Sequence, residues 1–213
     1  MHIHQLIQEH LRHHMSIYIF TCGLFLMGII FGAIVVNSMN FIQKEDLYFY
    51  LSQFFEQVVD NDPHSNLAIF KSSYYFHLKY LLLLYILGLS IIGLPIVWIL
   101  IFLKGMFVGF TVGFIVNQLG FKGLILASLS IAPQNIFIIP IYIVAASFAM
   151  IFSLMLFKKI MRQNISYSIF KPFQIYTIVF IILLASSSLA SILETYISHT
   201  AMHSYLKALY GSS

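Results

Sequence analysis

The sequence predicts an all-α fold, a polytopic helical membrane protein with about five transmembrane helices. Of its 213 residues, 60% are hydrophobic and 8% are charged, whereas soluble domains carry roughly a quarter charged residues. The mean hydropathy of +0.92 arises from long apolar runs. Such runs indicate helices, because a spanning β-barrel shows only alternating segments of about ten residues. We therefore expect one integral membrane domain over residues 1–213.

Each predicted span is an apolar run that is long enough, or nearly so, to cross a hydrocarbon core of roughly 30 Å. The predicted segments are span 1 at 16–37, an outer segment at 38–78, span 2 at 79–103, span 3 at 105–120, a short broken segment at 122–135, span 4 at 136–157, a basic loop at 158–172, span 5 at 173–193 and an outer tail at 194–213. Lys104 is predicted to close span 2, and all lysines are expected near the ends of spans.

The distribution of basic residues predicts the orientation in the membrane. The 158–172 loop holds four basic residues and no acid, which places it in the cytoplasm by the positive-inside rule. With five spans, the N-terminus is then cytoplasmic and the C-terminus is outside. The basic residues expected on the cytoplasmic side are Arg12, Lys104, Lys158, Lys159, Arg162 and Lys171.

Helix-breaking and polar residues interrupt the apolar sequence between spans 3 and 4. The piece from 123 to 132 is too short to cross; it is a half-helix dipping into the protein or the outer end of one kinked helix, and we favour the half-helix. Pro133, Gln134 and Asn135 predict a break or re-entrant turn, and Pro140 predicts a kink in the helix that follows. The two amides are expected to satisfy carbonyls that Pro133 frees, although irregular backbone also lines transport cavities.

Glycines recur every fourth residue in two of the predicted spans. This spacing places them on one helix face and lets another backbone approach closely. We expect intramolecular helix packing, with a homo-oligomer or a partner helix as the alternative. The predicted packing residues are Gly28, Gly32, Gly105, Gly109 and Gly113.

The outer segment contains an apolar stripe of helical period, which predicts an amphipathic helix at 44–59. Its polar face is acidic, so attraction to anionic lipid is not its purpose. The helix either packs on the bundle or lies on the membrane surface, and the alternative is that it docks a partner outside the cell. The candidate docking residues are Leu47, Leu51, Phe54 and Phe55.

The sequence contains no constellation typical of an enzyme or of a cofactor site. His10 and His14 have a spacing that could hold a metal, as do His199 and His203, but no third ligand lies nearby. No Asp, Glu or Arg falls inside a predicted span, which argues against a proton-coupled transporter. We therefore expect no catalytic residues, no cofactor, no metal and no nucleic-acid partner.

Three stretches carry a resemblance to a known family. FLMGIIFGAIVVNS at 25–38, LPIVWILIFLKGMFVGFTVGFIVNQLGFKG at 94–123 and APQNIFIIP at 132–140 resemble the stage II sporulation protein M family of endospore-forming bacteria. The resemblance covers essentially the whole chain in length, in five-span layout and in the order of the motifs. Broader relatives often carry Pro-His-Gly and an acidic residue at the break, where this chain has Gln134, Asn135 and Ile138.

The resemblance implies a non-enzymatic membrane scaffold that acts in engulfment. It implies that the chain anchors two peptidoglycan-degrading partners, stage II sporulation proteins D and P, at the septal or engulfing membrane. Roles tied to the histidine or the acid of broader relatives are not implied, because those residues are absent here. The alternative function is a transporter or channel component with a cavity at the broken helix.

Overall fold

The computed structural model describes residues 2–60, 66–161, 169–193 and 195. Over these ranges the chain is helical and has no strand, so the predicted all-α fold is confirmed. The helices are α1 (His2–Ser38), α2 (Phe41–Asp60), α3 (Asn66–Gly88), α4 (Gly93–Ser130), α5 (Ala132–Met161) and α6 (Phe170–Leu193). Four stretches are long and apolar enough to cross a membrane, namely Leu11–Ser38, Gly93–Ser130, Asn135–Met161 and Phe170–Ile192.

Helix α3 is the fifth member of the bundle, although it is not among the four stretches that are apolar enough to be candidate spans. It packs against α4, α5 and α6. His77 of α3 contacts Tyr142 of α5, and further along both helices Gly88 packs against Ala149, so the two helices run parallel. Because α5 is itself a candidate span, α3 crosses the same layer, and the bundle agrees with the predicted number of about five crossings.

The predicted boundary between spans 2 and 3 at Lys104 is wrong. Helix α4 continues through Lys104, and the chain turns instead at residues 89–92. A Cβ added at Gly93 would clash with the carbonyl oxygen of Leu87, so this tight turn requires a glycine. Pro95 lies in the first turn of α4, where its missing N–H leaves no hydrogen bond unmade.

Gly120 divides α4 into a long segment, 93–119, and a short segment, 121–130. Its φ of 56° and ψ of −131° are non-helical. The short segment folds back on the long one. This course follows from the close contact at Gly123, where an added Cβ would clash with the carbonyl oxygen of Ile115. The chain turns again at Ile131 before α5 begins. The predicted break therefore lies just before Pro133, and the short segment has the re-entrant course expected of a half-helix.

The main core lies where α3, α4, α5 and α6 meet, and α1 covers it on one side. Its fully buried side chains include Leu81, Leu84, Ile101, Tyr142 and Tyr176. A smaller cluster joins the end of the long segment of α4 to the short segment. The bundle thus has a packed interior, and the end at which α1 finishes carries both the short segment and α2.

Candidate functional site

The predicted packing glycines lie between α1 and α4. A Cβ added at Gly28, Gly32, Gly105 or Gly109 would come within 3.0 Å of backbone atoms in the facing helix. The carbonyl oxygens that these atoms would strike belong to Phe102, Met106, Phe25 and Ile29, respectively. At Gly113 the added atom would meet Cα of Ala33 at an ordinary 3.4 Å. The two helices run parallel, and their glycine faces are occupied by packing within one chain.

The helix break near Pro133 is satisfied by the chain itself. Asn135 Nδ2 donates a hydrogen bond of 2.8 Å to the carbonyl oxygen of Ile131, the turn residue between α4 and α5. The backbone N–H of Asn135 reaches the same oxygen at 3.3 Å. Pro133 occupies the first turn of α5, where helices tolerate proline. The side chain of Gln134 lies outside the described part of the structure.

Replacing Asn135 by leucine is expected to lower the melting temperature of the detergent-solubilised protein by about 2–4 °C. The change removes one donor from the Ile131 carbonyl, a loss of about 1 kcal/mol, and this stability change corresponds to that shift in a chain of this size. Asn117→Leu is the matched control because Asn117 is exposed on α4. Equal melting of the two variants would show that the Asn135 amide does not stabilise the break.

A cavity of about 540 Å³ lies beside the break, between the two segments of α4 and the start of α5. Aliphatic side chains form most of its wall, and Ser128 and Asn135 supply polar groups. Pro140 also lines it, within α5. A wall of this composition suits hydrocarbon better than a hydrated ion, because it offers few groups to replace water around a charge.

Helix α2 holds the predicted docking residues and lies at the same end of the bundle as the short segment of α4. Leu51 packs against the small cluster that joins the two segments of α4, and Leu47 is half-buried. Away from Leu51, helix α2 exposes Ile42, Phe49 and Tyr50, with 71%, 58% and 67% of their surfaces accessible. The side chains of Phe54 and Phe55 lie outside the described residues. Leu51 of the apolar stripe therefore contacts the bundle, and the exposed side of α2 is free of the small cluster.

A basic and aromatic cluster lies inside the bundle, although Lys104 was expected at the end of a span. The Lys104 ammonium lies 5.0, 5.7 and 5.1 Å from the ring centroids of Phe76, Tyr80 and Tyr142. His77 Nδ1 and the Tyr142 hydroxyl share a hydrogen bond of 2.7 Å. Cation–π contacts contribute about 0.5–2 kcal/mol each, which offsets part of the roughly 3 kcal/mol that a central lysine costs in a bilayer.

The prediction that all lysines lie near span ends is therefore wrong. At 1.5 Å per residue, about 16 Å of helix separates Gly93 from Lys104, close to half of the hydrocarbon thickness. Gly28, near the middle of predicted span 1, packs between Phe102 and Met106, on either side of Lys104 in the sequence. Because Lys104 is an ionisable side chain inside the bundle, a lack of such side chains no longer argues against a proton-coupled transporter.

Sequence reasoning missed this cluster because it placed a loop at Lys104. One signal of the error is present in the sequence. The apolar part of predicted span 3, 105–120, is too short for a complete crossing, so the helix needs residues from before Lys104. The turn residues Ser90 and Gly93, followed by Pro95, mark the true start of the helix. An earlier start places Lys104 in the middle of one long helix.

The described residues contain no group of three or more His, Cys, Asp or Glu side chains that could hold a metal ion. The His13 and His14 rings meet edge to face, with their centroids 4.9 Å apart. His199 and His203, the second pair with metal-ligand spacing, lie outside the described ranges. The geometry within those ranges gives no support to a metal centre.

Comparison with known proteins gives one finding. A family model described as SpoIIM, Stage II sporulation protein M, matches residues 21–199. The matched range begins inside α1 and extends beyond the end of α6, so it includes the second half of α1 and the whole of α3, α4, α5 and α6. Neither a curated protein nor a solved structure matches the chain.

Proposed function

This chain belongs to the stage II sporulation protein M family, and we propose that it is a non-enzymatic scaffold in the membrane. Family membership makes it a sporulation-related membrane protein, and the family is not one of known enzymes. In our proposal the chain anchors peptidoglycan-degrading partners at the septal or engulfing membrane during endospore formation. The proposed partners are stage II sporulation proteins D and P.

The placement of α2 is the observation that supports this proposal best. Leu51 packs on the small cluster at the end of the bundle that the predicted orientation places outside, while Phe49 and Tyr50 remain more than half exposed. Aromatic side chains of this kind commonly form the centres of protein interfaces. A scaffold for wall-cutting partners needs an accessible surface on the outer side, and under the predicted orientation α2 supplies one.

The double variant Phe49→Ser/Tyr50→Ser is expected to reduce recovery of proteins D and P with a tagged chain by about tenfold or more. Loss of one aromatic anchor costs about 2 kcal/mol or more at an interface, and both side chains are exposed, so the melting temperature should stay within about 2 °C of wild type. The measurement is quantitative pull-down from mild detergent extracts of sporulating cells, with a melting curve for each variant.

Phe121→Ser is the matched control, because Phe121 is a 75% exposed aromatic residue in the short segment at the same end of the bundle. It should leave recovery unchanged. A third variant, Leu51→Ser, should lower stability because Leu51 packs on the small cluster. Full recovery of both partners with Phe49→Ser/Tyr50→Ser would exclude the exposed side of α2 as their docking surface.

The alternative, a transporter or channel component with a cavity at the broken helix, has less support. The cavity beside Asn135 exists, but its wall is mainly aliphatic. Asn135 uses its amide to satisfy the Ile131 carbonyl. Both observations fit a break that is stabilised by the chain itself, so we retain the scaffold as the proposed function.

A further inference from the structure

The cavity beside the helix break lies within the hydrocarbon layer of the membrane. It is formed by α4 and the start of α5, and both of these helices contain candidate spans. Val108 and Val112 line it from the long segment of α4. At 1.5 Å per residue, they lie about 22 and 28 Å along the helix from Gly93. Since the hydrocarbon core is roughly 30 Å thick, the cavity belongs to the leaflet on the side of Gly120.

The cavity is open towards the lipid between the short segment of α4 and the start of α5. Leu124 and Ile136, which line it from these two elements, are 46% and 68% exposed. Val108, Val112 and Ile139 line it as well but are only half-buried. In this layer hydrocarbon chains rather than water surround a membrane helix. An occupant can therefore enter sideways from the bilayer.

The wall of the cavity selects an apolar occupant. Its two polar side chains are engaged by the chain itself, since the Ser128 hydroxyl donates to the carbonyl oxygen of Leu124 at 2.8 Å and the Asn135 amide donates to that of Ile131. The other lining residues are aliphatic. A buried water needs about two to four polar partners, and an ion needs several oxygen ligands in place of its hydration shell. The wall supplies neither.

The size of the cavity matches one hydrocarbon chain. Its volume is about 540 Å³. An apolar cavity of about 150 Å³ in another protein binds benzene, which corresponds to about 25 Å³ per carbon atom. On that scale this cavity holds about 20 carbon atoms, close to one acyl chain of a membrane lipid. A tryptophan from a partner helix has about ten side-chain atoms and would fill only about half of it.

We propose that this cavity binds one acyl chain of a phospholipid from the leaflet on the side of Gly120. The inference goes beyond the scaffold function and does not depend on it. Three lining residues, Val112, Ala127 and Ile131, also belong to the small cluster on which Leu51 packs. The bound chain thus contacts the same residues that support α2, and it stabilises that end of the bundle.

The first test is native mass spectrometry of the full chain in a mild detergent, after washing has removed the bulk lipid. One phospholipid should remain on each chain. Ala132 lines the cavity, and Ala132→Phe should lower the retained fraction at least about tenfold, because the ring takes the space of the acyl chain. Ala185→Phe is the matched control, since Ala185 is exposed on α6 and lies outside the cavity.

Photo-crosslinking locates the retained lipid on the wild-type chain. The protein is reconstituted into vesicles of phosphatidylethanolamine and phosphatidylglycerol, with a diazirine halfway along one acyl chain of the phosphatidylglycerol. After extraction, washing and irradiation, adducts should map to lining residues such as Val112 and Ile136. Ile178 and Ile181 of α6 are the reference positions, because they are 55% and 59% exposed outside the cavity and should carry no adduct.

Melting curves separate a filled cavity from a damaged fold. In lipid-free detergent, Ala132→Phe should melt at or above the wild-type temperature, because its ring replaces the lost acyl chain. Ser128→Phe fills the cavity from the short segment and serves as the second variant. If either variant does not fold, the adduct map of the wild-type chain still decides.

Four results would overturn the inference: a wild-type chain that retains no phospholipid, equal retention by wild type and both filling variants, adducts at the α6 reference positions instead of the cavity, or an acyl chain that belongs to a lipid-modified protein. None of these results bears on the scaffold. The recovery of proteins D and P by the wild-type chain and by Phe49→Ser/Tyr50→Ser tests that function separately.

Discussion

Replacing Gly32 by alanine is expected to lower the melting temperature of the detergent-solubilised protein by about 3–9 °C. The added Cβ would clash with the carbonyl oxygen of Met106 and lie 2.7 Å from the backbone nitrogen of Phe110. Backbone atoms cannot rotate away, so α1 and α4 must separate along their contact. Overpacking of this kind costs about 1–3 kcal/mol, which gives the expected shift for a chain of this size.

Gly23→Ala is the matched control for this prediction. Gly23 lies in the same helix and also inside the predicted span, but nothing lies within 4 Å of the position its Cβ would take. Alanine has a better helix propensity than glycine, by roughly 1 kcal/mol, so this variant should melt at the wild-type temperature or slightly above it. Indistinguishable melting of the Gly32 and Gly23 variants would contradict the close contact of α1 with α4.

Replacing Gly120 by valine should have a comparable effect for a different reason. The φ of 56° and ψ of −131° at this residue lie in a region that glycine alone occupies readily, and a β-branched residue is strained there. Forcing such a conformation costs about 1–3 kcal/mol, or about 3–9 °C in melting temperature. The strain can be relieved only by moving the short segment, which would also detach Gly123 from Ile115.

The control for the backbone effect is Gly23→Val, which introduces the same side chain into an open position in α1. Valine has a weak helix propensity, so a small loss is expected there, well below that of Gly120→Val. The comparison is made by melting curves in one detergent. A Gly120→Val protein as stable as Gly23→Val would show that the chain reverses at Gly120 without needing a glycine.

Composition and glycine spacing were sufficient to predict the class of fold and much of its packing. Apolar runs with few charges can fold only as membrane helices, and glycines at every fourth residue required a close helix contact. The sequence could not show that α1 was the partner of α4. That choice depends on how the faces of all five helices pack together, which the glycine spacing on one helix does not contain.

Charge is a misleading sign of a helix end in this chain. Lys104 and His77 lie inside the bundle because aromatic rings and a tyrosine hydroxyl surround them. Those contacts come from α3 and α5, far away in the sequence, so no local pattern predicts them. The same holds for Leu51, whose packing on the small cluster decides which side of α2 remains exposed.

Imaging the two peptidoglycan-degrading proteins in living cells tests the scaffold most directly. Proteins D and P would be labelled fluorescently in an endospore-forming bacterium that carries this chain, and followed during engulfment with and without it. The scaffold predicts that both proteins are enriched at the septal membrane only when the chain is present, and that Phe49→Ser/Tyr50→Ser disperses them while the chain itself stays in the membrane. Unchanged septal enrichment in cells that lack the chain would contradict it.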